Sequence, residues 1–139
     1  ILWSKLQNGE TVEIKGKKVN PNLVLGPSRK GRKIVISGDT RPTSSIKRFI
    51  SLADLAVLES TYFDDHQEKA KENLHMTARE AAQMASDAGV NKLALTHFSS
   101  RYDDINTHLP QASDIHPNLV VAEDFLVMNI KYPDEKAVN

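Results

Sequence analysis

The chain has 139 residues, enough for one globular domain with a core of its own. Its composition, 40% hydrophobic and 26% charged, excludes a disordered or fibrous protein. The chain has no cysteine, which excludes disulfides and thiolate metal sites and fits a reducing cytoplasm, where we expect the protein to be. No apolar run approaches the roughly 18 residues of a membrane span, so we expect no membrane partner.

The formal net charge of zero conceals a basic N-terminal region. Residues 1–33 carry eight Lys or Arg against two Glu, a net charge of +6, and the remainder carries −6. Two interpretations stay open, a solvated lysine-rich hairpin and a surface that faces a polyanion. The basic residues are Lys5, Lys15, Lys17, Lys18, Arg29, Lys30, Arg32 and Lys33.

In chain order, the first 33 residues alternate short strand-like pieces with Asn-Gly, Lys-Gly and Asn-Pro turns, which predicts β-hairpins. From residue 33 onward, strands and helices alternate, which is typical of a sheet with helices packed on it. The predicted strands span residues 11–14, 23–25, 33–37, 55–60, 92–96, 118–122 and 125–130, and the predicted helices span 44–53, 65–73, 77–88 and 103–112. The expected organisation is a basic β-hairpin lead-in (1–33), a βα region (33–132) and a disordered tail (133–139).

Four ionisable side chains lie at the ends of predicted elements, where α/β sheets gather ligand-binding residues. Asp39 and His97 each follow a predicted strand. Glu59 lies at the end of a third strand, and His75 precedes the helix 77–88, whose start resembles a capping box. We expect these four groups to converge at one edge of the sheet, although they are far apart in sequence.

Taken singly, each of the four side chains also has a structural interpretation. Asp39 could cap its turn or pair with Arg41, and His97 could be a hydrogen-bonded, half-buried residue. His75 could be a polar residue that leads into a helix, and Glu59 could be an edge charge or could pair with Lys92. The other three histidines, predicted to be surface residues, are His66, His108 and His116.

Asp and His are the ligands that Zn²⁺ takes when thiolates are absent. A zinc ion needs three or four protein ligands, whereas Asp39 and His97 supply two. The sequence also lacks the paired patterns His-x-His and His-Glu-x-x-His. From its residues alone, the chain predicts half of a zinc site.

Four segments, GDTRP, LESTYF, NLHMTA and LTHFSSRY, occur in this order, with 36 residues from Asp39 to His75 and 22 from His75 to His97. Together they resemble the C-terminal half of ribonuclease Z, a family of metallo-β-lactamase-fold endonucleases that cut the 3′ trailer from precursor tRNA. The resemblance extends from about Trp3 to Ile130. It implies an α/β fold that forms half of an αββα sandwich, with a mixed sheet and helices on one face.

The resemblance also implies a role for each candidate residue. Asp39 matches the aspartate that bridges two zinc ions, and His97 matches the last histidine ligand. His75 matches a histidine near the scissile phosphate that protonates the leaving oxygen, and we expect Glu59 to orient it. A second group, predicted to bind the substrate phosphate, comprises Ser99 and Arg101.

The chain departs from the family pattern because the His-x-His-x-Asp-His motif, a further histidine ligand and the tRNA-gripping arm are absent. Since the first residue is Ile1 rather than Met, we expect a fragment whose missing N-terminal half supplies them. The two-zinc site is therefore expected to be incomplete, with weak or no zinc binding and no cleavage by this chain alone. Two alternatives are another phosphodiesterase of this fold and a non-catalytic RNA-binding or assembly module.

The predicted half-sandwich would leave one apolar face of its sheet uncovered. We therefore expect the chain to associate with a copy of itself or with the missing half. The resemblance adds to this expectation because the family is generally homodimeric.

Overall fold

The fold is described from a computed structural model, which describes residues 2–26 and 30–132. The tail predicted at 133–139 lies outside these residues. The chain divides into two compact units, Ile1–Gly31 and Arg32–Asn139. None of the helices in the described ranges is both long and apolar enough to cross a membrane.

The first unit contains a short helix and a β-hairpin. Helix α1 (Leu2–Gln7) is followed by the antiparallel strands β1 (Val12–Ile14) and β2 (Lys17–Val19). Both residues of the connecting turn, Lys15 and Gly16, have positive φ, as a type I′ turn requires. The predicted hairpin is therefore present at this position.

The strand predicted at 23–25 is wrong. The chain forms a 3₁₀ turn at Pro21–Leu23 instead. Asn20 caps this turn by accepting a hydrogen bond from the Asn22 N–H at 3.1 Å, and Pro21 supplies a fixed φ at its first position. The cap at Asn20 and the proline that follows it therefore determine the local structure, rather than the β-forming tendency of residues 23–25.

The second unit is built on a four-stranded sheet in the order β3-β4-β5-β6. All three pairings are parallel, so the expectation of a mixed sheet is wrong for the described residues. Parallel strands need connecting segments that cross back over the sheet, which the intervening helices provide. The strands are β3 (Ile34–Ile36), β4 (Leu55–Glu59), β5 (Lys92–Thr96) and β6 (Leu119–Val121).

Helices α2 (Ser44–Ile50), α3 (Gln67–Glu72), α4 (Ala78–Asp87) and α5 (Leu109–Ala112) lie between the strands. One row of the sheet register, which faces the core, consists of Val35, Ala56, Leu93 and Leu119. The alanines of α4 pack in the same core, where their small side chains allow the helix close to the sheet. The α/β half-sandwich predicted from the sequence is confirmed as the fold class.

The ends of α4 agree with the sequence signals. The Thr77 hydroxyl accepts the Glu80 N–H at 3.1 Å, and the Glu80 carboxylate accepts the Thr77 N–H at 2.9 Å, which completes the capping box. At the other end Gly89 has φ +67°, and a Cβ there would meet Leu52 at 3.1 Å. Both the backbone and the packing therefore favour glycine.

Two predicted elements near the C-terminus differ from the structure. Residues 125–130 form no strand, because the Leu126 N–H donates to the Glu123 carbonyl in a turn and Phe125 has φ +68°. The helix predicted at 103–112 is split into a 3₁₀ turn (Ile105–His108) and α5, since Pro110 lacks the N–H needed for a continuous helical ladder.

Candidate metal centre at the carboxyl edge of the sheet

The parallel strands deliver three of the predicted site residues to one edge of the sheet. Glu59 is the last residue of β4, His97 directly follows β5, and Asp39 lies three residues beyond β3. The ladder continues past the strands, because the Ser60 N–H donates to the Thr96 carbonyl at 2.8 Å. This pairing aligns the chain after β4 with the chain after β5.

His75 reaches the same edge from the loop before α4. A β-bridge between Tyr62 and Thr77 draws this loop alongside the chain that leaves β4. The Tyr62 N–H donates to the Met76 carbonyl at 3.3 Å, and the Ala78 N–H donates to the Tyr62 carbonyl at 2.9 Å. The loop and the sheet edge are therefore held in register.

Asp39, His75 and His97 form one cluster, in which each residue offers a ligand atom within 4.8 Å of the others. The His97 Nε2 lies 3.5 Å from the Asp39 Oδ1, and the rings of His75 and His97 stack with centroids 5.2 Å apart. His75 is the most enclosed, with 19% of its side chain exposed. The sequence predicted two metal-facing groups here, and the structure brings three together.

Glu59 lies buried behind the cluster, with 1% exposure, and its carboxylate has several hydrogen-bond donors. One oxygen accepts from the His75 Nδ1 at 3.0 Å and from the Thr40 N–H. The other accepts from the Thr61 hydroxyl at 2.8 Å and the Met76 N–H at 3.0 Å. Glu59 therefore fixes the orientation of the His75 ring.

The backbone at the cluster is in sparsely populated conformations. His97 has φ +57° and Leu74, directly before His75, has φ +61°. A left-handed conformation costs a non-glycine residue roughly 1–2 kcal/mol. Such strain is concentrated where a site must aim a side chain, which is consistent with a functional role for this edge.

Arg41 ties the loop of Asp39 to the loop of His75. Its guanidinium forms a bidentate ion pair with Glu80 at the start of α4 and donates to the His75 backbone carbonyl. The pair is largely screened from water, with 22% and 21% of the side chains exposed. Asp39 is thus not paired with Arg41, in contrast to its structural interpretation from the sequence.

Ser99 and Arg101 lie beside the cluster on the segment after β5. The Arg101 Nε donates to the Ser99 hydroxyl at 3.0 Å, and its guanidinium carbon lies 4.8 Å from the centre of the Tyr62 ring. Tyr62 in turn meets the edge of the His75 ring at a centroid distance of 6.1 Å. The exposed Arg101 is therefore anchored close to the candidate centre.

The profile of the family described as "Beta-lactamase superfamily domain" matches residues 7–98. The chain belongs to this superfamily. The matched range includes all three residues of the candidate centre, Asp39, His75 and His97.

Curated proteins that are similar to this chain in sequence carry the name Ribonuclease Z. The protein from Nitrosopumilus maritimus is 44% identical over 130 residues, which are 94% of this chain and 44% of that protein. The protein from Myxococcus xanthus is 51% identical over 114 residues, which are 81% of this chain and 37% of that protein. The predicted resemblance to ribonuclease Z is confirmed, and the chain spans less than half the length of these relatives.

Solved structures agree with the superfamily assignment. Human tRNase Z, short form, has a TM-score of 0.58 and 34% identity, with 73% of this chain and 34% of that chain covered. The metallo-beta-lactamase fold protein YhfI from Bacillus subtilis has a TM-score of 0.59 and 24% identity, with 65% of this chain and 36% of that chain covered. At this identity, the similarity to YhfI supports the fold only and carries no information about function.

The donor set of the cluster fits a zinc ion. Two ligand atoms at about 2.1 Å from a tetrahedral zinc are about 3.4 Å apart, which agrees with the 3.5 Å between Asp39 and His97. One carboxylate and two imidazoles are also ligands of the type that zinc prefers. Three groups are too few for two ions, so the residues fit part of a two-metal centre.

Two histidines predicted to be surface residues are buried, which corrects the sequence interpretation. His108 is fully buried and its ring packs against Phe63, Phe98 and Tyr102. Desolvation by this burial lowers the pKa of His108 below its ordinary value. His116 is also buried and contacts the Val90 carbonyl at 3.0 Å. No periodicity marks either residue, because both belong to irregular or very short elements.

Proposed function

We propose that this chain carries part of the active site of a zinc-dependent endoribonuclease that removes the 3′ trailer from precursor tRNA. The observation that carries the proposal is the cluster of Asp39, His75 and His97 at the carboxyl edge of the sheet, with Glu59 buried behind it. The names of the curated relatives and of the human tRNase Z structure support the choice of substrate.

Asp39 and His97 are the proposed metal ligands. Both are exposed enough to meet an ion, with 58% and 47% of their side chains accessible, and their facing atoms have a spacing suited to one zinc. When bound, zinc supplies an activated water and neutralises charge on the phosphate. The two residues supply the position at which that chemistry takes place.

His75 is the proposed proton donor to the leaving RNA oxygen. Its Nδ1 is engaged by the buried carboxylate of Glu59, which leaves Nε2 for the substrate side. Glu59 therefore acts as a positioning residue that keeps the ring at one angle and one tautomer.

Arg101 and Ser99 are proposed to bind the phosphate next to the scissile bond. The Ser99 hydroxyl holds the Arg101 Nε, so the terminal nitrogens of the guanidinium are directed away from this bond. A planar guanidinium recognises two phosphate oxygens at once. Its stacking on Tyr62 reduces the entropy lost on binding.

The remaining zinc ligands are proposed to come from a region of the relatives that this chain does not span. Two zinc ions need more ligands than Asp39 and His97 can offer. The chain by itself should bind zinc weakly and leave precursor tRNA uncut. Homodimerisation and a cytoplasmic location belong to the same proposal.

A chimera tests this function. The chain replaces the matching 44% of the Nitrosopumilus maritimus relative, and cleavage of a precursor tRNA with a 3′ trailer is measured together with zinc content. We expect about two zinc ions and cleavage at the trailer junction. His75→Ala should reduce cleavage roughly 100- to 10,000-fold with zinc retained, whereas Asp39→Ala should lose both.

His66→Ala is the matched control, because His66 pairs with Asp65 outside the cluster and should leave cleavage unchanged. A folded, zinc-loaded chimera that cleaves a generic phosphodiester but not precursor tRNA would favour the other phosphodiesterase. Salt-sensitive tRNA binding without zinc or cleavage would favour the RNA-binding module.

A further inference from the structure

Thr61 occupies the centre of the hydrogen-bond network that joins the three functional groups. Its hydroxyl lies 2.8 Å from the Glu59 Oε2, 2.8 Å from the His97 Nδ1 and 3.3 Å from the His75 Nδ1. The residue is buried, with 6% exposure. None of the roles above uses this hydroxyl.

The single proton of the hydroxyl determines the direction of these hydrogen bonds. An ionised carboxylate only accepts hydrogen bonds, so Thr61 must donate to Glu59. The hydroxyl has no second proton, and its oxygen must therefore accept from the Nδ1 of His97. A neutral His97 ring is accordingly protonated at Nδ1 and presents the lone pair of Nε2 toward Asp39, 3.5 Å away.

Hydrogen bonds fix the backbone at Thr61 and at the residue before it. The Ser99 N–H donates to the Thr61 carbonyl at 3.2 Å, and the neighbouring Ser60 is bonded to Thr96 through both its N–H and its hydroxyl. These bonds join the segment after β4 to the segment that carries His97. The backbone that carries the Thr61 hydroxyl is therefore tied directly to the segment that carries His97.

We propose that Thr61 is a positioning residue that selects the Nδ1–H tautomer of His97 and aims its Nε2 lone pair at the metal position. The tautomer follows from the hydrogen bonds alone, while its consequence for zinc rests on the proposed function. The same oxygen lies 3.3 Å from the Nδ1 of His75, whose orientation Glu59 sets. Partners of this kind raise metal affinity about 10- to 100-fold.

Nuclear magnetic resonance of the ¹⁵N-labelled, metal-free chain tests the proposal directly. Long-range proton–nitrogen spectra at pH 8, where an ordinary imidazole is neutral, distinguish the two tautomers, and His97→Gln assigns the signal. We expect Nδ1–H in the wild type and in Thr61→Ser, which keeps the hydroxyl. Thr61→Val, of nearly equal volume, should release His97 to the Nε2–H tautomer.

Zinc titration of the same three proteins, followed at the His97 signal, supplies the second readout. The zinc dissociation constant should rise at least about 10-fold in Thr61→Val and stay near the wild-type value in Thr61→Ser. An Nε2–H tautomer in the wild type, or an unchanged Nδ1–H tautomer in folded Thr61→Val, would overturn the proposal. The expected tautomers together with zinc bound at another position, with the His97 signal unchanged, would instead contradict the proposed function and leave the tautomer selection intact.

Discussion

The carboxylate of Glu59 is the most constrained functional group of the site. Its oxygens accept from two backbone N–H groups, a hydroxyl and an imidazole, so each oxygen has two donors. A buried acceptor of this kind is costly to replace, because every donor around it then loses its partner. Function and stability therefore depend on the same side chain.

Replacing Glu59 with Gln tests this dependence. The amide NH₂ of Gln would face at least one of the donors, so Glu59→Gln should lower the free energy of unfolding by about 1–3 kcal/mol. Urea unfolding of the variant, compared with Glu123→Gln on the exposed surface, measures the effect. Equal stability of the two variants would contradict the proposed donor network.

His108 should make the stability of the chain pH-dependent. Burial lowers its pKa in the folded state below the ordinary 6.5, so the unfolded chain binds a proton more readily. Stability is therefore fully present above about pH 6.5 and is lost as the pH falls through 6.5 toward the lowered folded value.

Urea unfolding at pH 8 and pH 5.5 checks this sign for the wild type and for His108→Phe, whose ring suits the aromatic surroundings. The variant should lose less stability on acidification than the wild type. His66→Phe, at a partly exposed histidine, serves as the control and should behave like the wild type. If His108→Phe lost more unfolding free energy than the wild type between pH 8 and pH 5.5, the proposed role of His108 in the pH dependence would be contradicted.

At the scale of elements, Arg41 connects the loop after β3 to the start of α4. Arg41→Lys keeps the charge but loses the bidentate contact with Glu80 and the bond to the His75 carbonyl. We expect amide hydrogen exchange to accelerate at Thr40 and His75, while the free energy of global unfolding changes less than the free energy of local opening at these two amides. Arg79→Lys, which weakens a more exposed pair with Asp114, is the matched control and should leave these amides unchanged.

The elements that the sequence predicted well are those with strong local signals. The Thr77 capping box, Gly89 and the apolar strand 92–96 lie where the patterns placed them. The convergence of Asp39, Glu59 and His97 also followed from strand ends, since parallel strands share a carboxyl edge. These features depend on residues near in sequence or on one topological rule.

Other features depended on contacts that the sequence could not reveal. The apolar residues of 125–130 have no partner strand among the described residues, so their pattern forms no strand. The burial of His108 arises from three aromatic rings supplied by distant segments. Thr61 was missed because a threonine after a strand is common, and its role depends on two imidazoles from other loops.

At the scale of the whole molecule, exposed apolar side chains favour association. Ile34 and Ile36 alternate with the core-facing Val35, so they lie on the opposite face of β3, and Ile36 is 72% exposed. Val127 is also exposed, at 90%. Surfaces of this kind commonly mark contacts with another protein chain.

We therefore expect the wild-type chain to associate with increasing concentration. Ile36→Lys should shift it toward the monomer, because a lysine at the contact would be costly to desolvate. Leu23→Lys is the control, since Leu23 is comparably exposed and belongs to the first unit. Sedimentation velocity makes the comparison, and a wild type that stays monomeric throughout would contradict the expectation.

Anomalous diffraction at the zinc edge, on crystals grown with Zn²⁺, tests the central claim that this sheet edge is a metal centre. We expect a peak about 2.0–2.2 Å from the Asp39 Oδ1 and the His97 Nε2, and its loss in Asp39→Ala. A peak only at the His66–Asp65 pair, or none between Asp39 and His97 in zinc-saturated crystals, would contradict it.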